Sequence, residues 1–237
     1  MEIYNLCILI PTLNEEGSIA FVLNSLLKFK NPNIKNTKVI VCDYKSEDNT
    51  VQIAKDLKAK VVNVKNPGYG SALLEGLKFV DDKDIVLFLD ADGADDLLKI
   101  SEMIDLIIND TADLVIGSRV LGEPEKGALS VPQRFGNLLV TKIIGIYFKQ
   151  SCTDLGPQRM IIKETLNLLN MSDPDFGWTI EMQIKAYKQR LKVVEIPVNY
   201  KCRFAGVSKI SNNLKGSFFA GKKILYYVFK ELIFKKK

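Results

Sequence analysis

The first half of the 237-residue chain repeats one pattern: a short apolar run, then a segment with apolar residues three and four positions apart. The runs span residues 5–10, 38–42, 60–64, 84–89 and 113–116. Continuous apolar runs of this length are typical of strands buried on both faces. Their alternation with helical spacing predicts βαβ units, and therefore an α/β domain with a mainly parallel sheet flanked by helices.

The fourth run leads directly into the acidic sequence DADGADD. Asp95 and Asp96 are expected to cap a helix, because Asp is favoured at helix N-termini. Asp90 and Asp92 need another explanation, since neighbouring carboxylates repel unless a cation lies between them or they stay protonated. Mg²⁺ and Mn²⁺ are commonly held by one or two carboxylates together with diphosphate oxygens, and Gly93 allows a sharp turn. We therefore predict that Asp90 and Asp92 bind Mg²⁺ or Mn²⁺ on a diphosphate.

The chain has no histidine, which excludes Ser-His-Asp and Cys-His catalysis and imidazole-zinc sites. The cysteines Cys7, Cys42, Cys152 and Cys202 form no CxxC pair, and we interpret them as reduced core thiols of a cytoplasmic protein. The N-terminus does not resemble a signal peptide, and no apolar run reaches the roughly 20 residues that span a bilayer.

Basic residues are in mild excess, with 33 Lys and Arg against 28 Asp and Glu. This balance favours anionic partners. Nucleic acid is not expected, because the lysines of the C-terminal tail alternate with long apolar side chains.

Four segments in the first half resemble the family 2 glycosyltransferases of the GT-A fold: PTLNEE at 11–16, Asp43 with Ser46, DAD at 90–92 and GSR at 117–119. Three later segments are similar to the dolichyl-phosphate mannose synthase group, which includes polyprenyl-phosphate glycosyltransferases. They are TDLGPQR at 153–159, FGWTIEMQIKA at 176–186 and VNYKCRFAGVSKIS at 198–211. The chain differs from the family pattern at Tyr44 and Ala94, where Asp and Gln are common.

The resemblance implies a nucleotide-sugar site at the carboxyl ends of the strands. The residues it assigns to that site are Pro11, Thr12, Asn14, Glu15, Asp43, Ser46, Asp90, Arg203 and Lys209. The assigned catalytic residues are Asp92, Arg119, Arg134, Asp154 and Glu181.

Within this catalytic set, Arg119 and Arg134 would receive the acceptor phosphate, which guanidinium groups bind in a bidentate way. Asp154 and Glu181 are candidate bases if the acceptor is an alcohol. Arg119 could instead form an ordinary surface salt bridge, and Glu181 could simply pair with Arg159 or Lys185.

The second half is less regular. Residues 122–132 are predicted to form a mobile loop, 179–189 a helix and 192–200 a strand. Residues 135–148 are strongly apolar and fit either a core helix or a helix at a membrane surface. We expect a basic loop around Arg203 and Lys209 to fold over the diphosphate and exclude water.

From Leu214 to the end the chain has seven lysines, one glutamate and many aromatic residues. This composition predicts a basic amphipathic helix lying in a membrane interface, or alternatively a terminal helix packed on the domain. We divide the chain into a GT-A domain, residues 1–212, and this C-terminal helix, residues 213–237.

The leading hypothesis is an inverting, metal-dependent transfer of one sugar from a UDP- or GDP-sugar to a polyprenyl or dolichyl phosphate. The enzyme would be peripheral on the cytoplasmic face of a membrane. Two alternatives remain open: a glycosyltransferase acting on a glycan hydroxyl, and a non-catalytic nucleotide-sugar binding protein. The oligomeric state is not predicted.

Overall fold

The computed structural model describes residues 4–206 and Val228, and the described strands form one mixed sheet in the order β3-β2-β1-β4-β6-β5-β7. Every neighbouring pair is parallel except those of β6, which runs antiparallel to β4 and β5. The strands are β1 Tyr4–Thr12, β2 Ile34–Asp43, β3 Lys60–Asn63, β4 Ile85–Phe88, β5 Leu114–Ser118, β6 Arg159–Ile162 and β7 Val193–Pro197.

Helices cover both faces of this sheet. They are α1 Glu16–Leu27, α2 Thr50–Asp56, α3 Tyr69–Leu77, α4 Ile100–Ile108, α5 Val131–Phe148, α6 Lys163–Leu169 and α7 Trp178–Lys188. A 3-10 turn, Leu97–Lys99, leads into α4. Side chains of α1, α2 and α4 pack in one apolar cluster, and those of α3, α6 and α7 pack in another.

Strand β1 shows why the short apolar runs become central strands. Its side chains alternate between the two clusters: Leu6 and Ile8 pack on one face, and Cys7 and Leu9 on the other. All are buried, as expected for a strand covered on both sides. The five strands predicted in the first half are confirmed, and so are the later helix and strand, with shifted ends.

Two parts of the second half differ from the prediction. Strand β6 was not predicted, because it is only four residues long and begins at the charged but fully buried Arg159. The loop predicted for 122–132 ends at Ser130, since α5 begins at Val131. Ser130 and Gln133 form a capping box there, and Pro132 is compatible with a first helical turn.

Among the residues that the structure describes, helix α5 packs against the rest of the chain on one side. Its buried side chains, Val140, Thr141 and Ile144, face the body of the domain, where the valine and isoleucine pack beside Ile184 of α7. Val228 is buried in the same cluster. The opposite side exposes the apolar residues Val131, Phe135, Leu138, Leu139 and Ile146. The apolar sequence 135–148 is therefore neither a fully buried core helix nor a polar surface helix.

Some predictions fall outside the described residues, namely those for Lys209 and for segment 213–237 apart from Val228. In the described part of the chain, no helix combines the length and the apolar character that crossing a bilayer requires. The prediction of core thiols is confirmed for Cys7 and Cys42 but wrong for Cys202, which is exposed; Cys152 is half-buried.

Candidate active site

The ends of β1 and β2 are joined by polar side chains at the carboxyl edge of the sheet. Thr12 and Asp43 are partners in the strand register, and the Thr12 hydroxyl donates to Asp43 Oδ1 at 3.0 Å. The Ser46 backbone N–H donates to Asp43 Oδ2 at 3.0 Å, and its hydroxyl donates to Oδ1. Asp43 is buried by these contacts, so its carboxylate is held in one orientation.

The turn after Pro11 is fixed to the same cluster. The backbone N–H of Asn14 donates to Ser46 Oγ at 2.8 Å, and Asn14 itself has a left-handed φ of 52°. The Glu15 N–H donates to Thr50 Oγ1 at 2.7 Å. The residues predicted for base and ribose binding are therefore neighbours, and their positions are set by hydrogen bonds between the two strand ends.

The acidic turn, residues 90–96, follows β4 directly. Burial, and then the charge of Asp92, raises the pKa of Asp90 from 3.8 to about 7. Asp92 is buried and accepts a hydrogen bond from the Ala94 backbone N–H at 3.0 Å. Gly93 lies between Asp92 and Ala94, and its positive φ of 76° allows the chain to turn there. The two carboxylates predicted to bind a metal therefore share one turn whose electrostatics favour an added cation.

The other two acids of this turn have different roles. Asp96 caps the 3-10 turn, as predicted, by accepting from the Leu98 N–H at 3.1 Å. The prediction that Asp95 is also a helix cap is wrong, because its Oδ2 accepts from the Asp90 N–H at 2.8 Å. Its other oxygen is buried with no hydrogen-bond partner, and burial raises the pKa of Asp95 well above its usual value.

Arg203 connects the first motif to the acidic turn. Its Nη2 atom lies 3.4 Å from Glu15 Oε1 and 3.4 Å from Asp92 Oδ2. A residue near the end of the described chain thus supplies positive charge between two carboxylates, one after the end of β1 and the other after the end of β4.

Arg119 follows β5 and forms a two-bond ion pair with the buried Asp154. The Nε atom of Arg119 donates to Asp154 Oδ2 and the Nη2 atom donates to Oδ1, each at 2.7 Å. The backbone N–H of Arg119 also donates to Asp154 Oδ2, at 2.8 Å. Burial lowers the pKa of Arg119, but the hydrogen bonds and the charge of Asp154 outweigh burial and raise it above its ordinary value. Asp154 therefore holds Arg119 in place and is not free to act as a base.

The acidic turn and the two arginines border a cavity of about 530 Å³. This volume is within the size range of small-molecule sites. Asp90, Asp92, Arg119 and Arg203 all line the cavity. The other lining residues are Tyr69, Gly127, Ala128, Ser130, Gln133, Leu155, Pro157, Phe176, Thr179, Tyr200 and Cys202. The cavity therefore extends from the acidic turn to the beginning of α5.

Three predicted catalytic residues do not line this cavity: Asp154, which lies behind Arg119, and also Arg134 and Glu181. Arg134 is exposed on the first turn of α5, one residue beyond Gln133. Glu181 is fully buried in α7, where it pairs with Lys185 at 2.7 Å and accepts from the N–H groups of Ser172 and Asp173. Burial raises the pKa of Glu181, but these hydrogen bonds outweigh it and lower the pKa, which makes the carboxylate a weak base.

Sequence reasoning missed Tyr69, which lines the cavity at the start of α3. Its hydroxyl is buried and has no hydrogen-bond partner, and burial raises the pKa of that phenol. The close approach of Gly68 and Gly70 to the backbone around Pro174 holds this tyrosine in place. The NPGYG sequence at 66–70 was the available signal, because glycines flanking an aromatic residue mark a close backbone contact.

Asp90 and Asp92 fit a diphosphate-bound Mg²⁺ or Mn²⁺. The described residues contain no group of three or more potential protein ligands, so substrate oxygens and water would supply the rest of the coordination, as is common for Mg²⁺. The salt bridge from Arg203 to Asp92 shows that this turn attracts a cation.

The family model for glycosyl transferase family 2 matches residues 7–168, which include most of β1, the acidic turn and Arg119. The chain belongs to this family. It is therefore an enzyme that transfers sugars, as the first-half motifs predicted.

Curated relatives of this family 2 glycosyltransferase match most of its length. An uncharacterized glycosyltransferase of Mycobacterium tuberculosis is 31% identical over 215 residues, covering 90% of this chain and 93% of the relative. A UDP-N-acetylglucosamine–dolichyl-phosphate N-acetylglucosaminyltransferase of Methanococcus voltae is 31% identical over 217 residues, covering 81% and 83%. A dolichyl-phosphate hexose transferase of Haloferax volcanii is 27% identical and covers 87% and 86%.

Solved structures show the same fold. Glucosyl-3-phosphoglycerate synthase of Mycobacterium tuberculosis, determined with Mn²⁺, UDP and glucosyl-3-phosphoglycerate, matches with a TM-score of 0.69 at 18% identity. The match covers 97% of this chain and 80% of that one. The family 2 glycosyltransferase described here has the GT-A fold, as the sequence predicted.

Proposed function

We propose that this glycosyltransferase moves a sugar, with inversion at the anomeric carbon, from a nucleoside diphosphate sugar to a polyprenyl phosphate at a membrane surface. The observation that carries the proposal is the form of the cavity. One end contains the acidic turn and Arg119, and the other end is the first turn of a helix whose outer side is apolar and exposed. A polyprenyl phosphate suits both ends, because its phosphate would bind at the charged end and its apolar chain would lie along the helix.

The donor would lie along the carboxyl edge of the sheet. Asp43, Thr12 and the Asn14–Glu15 turn would contact base and ribose, and the diphosphate would reach the acidic turn. Mg²⁺ or Mn²⁺ held by Asp90 and Asp92 would neutralise charge that develops on the leaving diphosphate. The relative from Methanococcus voltae is named for a UDP-sugar donor, and the solved neighbour contains UDP and Mn²⁺.

Arg119 is the proposed binding group for the acceptor phosphate. Its guanidinium lines the cavity and is oriented by Asp154, so the remaining N–H groups are fixed for an oxyanion. The phosphate oxygen would then bond to the anomeric carbon. The bond from that carbon to the diphosphate breaks, and its electron pair leaves with the nucleoside diphosphate.

This reaction needs no general base, because a phosphate monoester is already anionic at neutral pH. The arrangement of the carboxylates supports that choice. Among the described residues, the acids that line the cavity are Asp90 and Asp92, which we assign to the metal. Asp154 and Glu181 are both held by cations. The enzyme contributes alignment and electrostatic stabilisation instead of proton removal.

The outer side of α5 would lie in the membrane interface and guide the lipid chain towards the cavity. Helix α5 has 18 residues and is therefore about 27 Å long, and its charged residues are Arg134 and Lys142. Exposed apolar residues on a helix with few charges are characteristic of interfacial binding. We extend this proposal to the lysine-rich segment 213–237 and to a location on the cytoplasmic face.

The test is a transfer assay with UDP- and GDP-sugars, Mg²⁺ or Mn²⁺, and a short polyprenyl phosphate. We expect labelled sugar to enter the extractable lipid, and we expect Asp92→Asn to abolish that transfer. The exposed Asp105→Asn on α4 is the matched control and should retain wild-type activity. Donor binding without transfer to the lipid phosphate would overturn the acceptor assignment.

A hydroxyl acceptor is the second candidate, because the solved neighbour carries the glycosylated product glucosyl-3-phosphoglycerate. This reaction deprotonates an alcohol, and a carboxylate is the usual base. Transfer that depends on a glycan or small polyol and ignores polyprenyl phosphate would favour this candidate.

A further inference from the structure

The chain segment after β7 crosses the acidic turn as a short strap, residues 200–206. The Lys201 N–H donates to the Ala94 carbonyl oxygen at 2.9 Å, and the Phe204 N–H donates to the Asp92 carbonyl oxygen at 2.8 Å. The strap is therefore attached by its backbone to the turn that carries both proposed metal ligands, and Arg203 lies between these two attachment points.

An aromatic pair fixes the far end of this strap to helix α1. The rings of Phe21 and Phe204 are stacked, with centroids 4.4 Å apart and an interplanar angle of 6°. A Cβ atom placed on Gly93 would approach both phenylalanines at 3.1 to 3.3 Å, so the pair lies directly over the acidic turn. Both side chains are exposed, and core packing does not explain the stack.

We infer that Phe21 and Phe204 are positioning residues that hold Arg203 against the donor site. The inference rests on the proposed donor site. Without a metal, Arg203 serves as the counter-cation of Asp92 and Glu15. When a divalent cation binds Asp92, the guanidinium no longer has a favourable place there. Because the aromatic stack keeps the strap in position, Arg203 then turns to the donor diphosphate.

This arrangement gives Arg203 opposite effects on two ligands. It competes with a divalent cation for Asp92 when no nucleotide is present, since two cations at one carboxylate repel. It assists a nucleoside diphosphate once the cation is bound, because guanidinium groups bind phosphate oxygens well. A variant that loosens the strap should therefore bind metal alone more tightly and bind the metal-nucleotide pair more weakly.

The test compares Phe21→Ala with Phe79→Ala in the full chain. The two phenylalanines are 41% and 40% exposed, and Phe79 lies under Lys60, away from the strap. Binding of Mn²⁺ alone is measured by electron paramagnetic resonance. Binding of UDP and GDP in saturating Mn²⁺ is measured by calorimetry. Arg203→Gln, which removes the positive charge, is measured in the same way.

We expect Phe21→Ala and Arg203→Gln to tighten the binding of Mn²⁺ alone. The nucleoside diphosphate that the wild type prefers should bind about 2- to 12-fold more weakly to Phe21→Ala, the range expected for loss of an aromatic pair. Phe79→Ala should match the wild type in both measurements. The ratio of donor hydrolysis to sugar transfer should also rise in Phe21→Ala, because a loose strap admits water.

Two outcomes would overturn this inference and leave the proposed donor site standing. In the first, Phe21→Ala binds both ligands as Phe79→Ala does. In the second, Phe21→Ala binds both Mn²⁺ and the nucleoside diphosphate more weakly, as a general loss of structure would cause. If the wild type binds neither UDP nor GDP in the presence of Mn²⁺, the proposed donor site is wrong and this inference is wrong with it.

Discussion

The guanidinium of Arg119 and the carboxylate of Asp154 form two parallel hydrogen bonds of 2.7 Å although the residues are 35 positions apart in sequence. The Asp154 side chain is almost completely buried, and Arg119 is one of the residues that line the cavity. Asp154 therefore acts on the reaction through Arg119. This relationship connects the stability of the fold to the proposed acceptor site.

Asp154→Asn should weaken both stability and acceptor binding. Removing one partner of a buried ion pair commonly costs on the order of 3 kcal/mol, because the other charge stays buried and uncompensated. Urea unfolding measures the stability, and the acceptor KM measures the loss of phosphate orientation. The control is Asp110→Asn, which breaks the exposed pair with Lys192 and should cost less than about 1 kcal/mol. Equal costs for the two variants would contradict the structural interpretation.

Glu181→Gln should reduce stability but leave turnover per folded molecule within about threefold of wild type, since Glu181 takes no part in proton transfer. Its carboxylate accepts hydrogen bonds from the segment before α7 and pairs with Lys185. Thermal unfolding gives the first quantity. Activity normalised to folded protein gives the second. A loss of several orders of magnitude in kcat, with the fold intact, would show that Glu181 acts as a base and would favour a hydroxyl acceptor.

The contribution of Asp90 to the free energy of unfolding should decrease as the pH rises from about 4 to 7 when metal is removed with EDTA. Folding raises the pKa of Asp90 from 3.8 to about 7, mainly through burial and then through Asp92. Between these values the folded protein binds more protons than the unfolded chain, so higher pH favours unfolding. Asp90→Asn should show a smaller slope, which thermal melts across this range would measure. An unchanged slope would show that Asp90 does not titrate in this window.

The outer side of α5 should bind anionic lipid vesicles. Leu138→Ser should lower the partition coefficient roughly tenfold, because it removes one large apolar side chain from the interface. Leu27→Ser on α1 is the matched control, since Leu27 and Leu138 are 54% and 53% exposed. Vesicle sedimentation measures both. If the two substitutions have the same effect, α5 is not the membrane-binding side.

The sequence predicts the central strands and the acidic turn well, because these depend on local patterns. Residues 84–89 must form a buried strand, and the acids that follow must lie at its carboxyl end. Strand β6 could not be predicted in the same way: Arg159 is buried by contacts with Gly156 and Gln183 that no local pattern reveals.

The roles of individual charged residues were harder to predict than the motifs. The pairing of Glu181 with Lys185 was one of the alternatives that the sequence left open, and the fold decides in its favour. The pairing of Asp154 with Arg119 was not expected, because the two residues are far apart in sequence. The contact between Arg203 and Glu15 joins residues 188 positions apart, a separation over which spacing gives no information. Tyr69 was missed because its significance lies in an unpaired hydroxyl, which is a property of the packed structure.

The most direct test of the central claim compares a polyprenyl phosphate with the polyprenol of the same chain length as acceptors, using the preferred nucleotide sugar. We expect transfer of labelled sugar to the phosphate and none above background to the alcohol, because Arg119 would bind an anion and no free base lines the described cavity. Equal transfer to the polyprenol would contradict it.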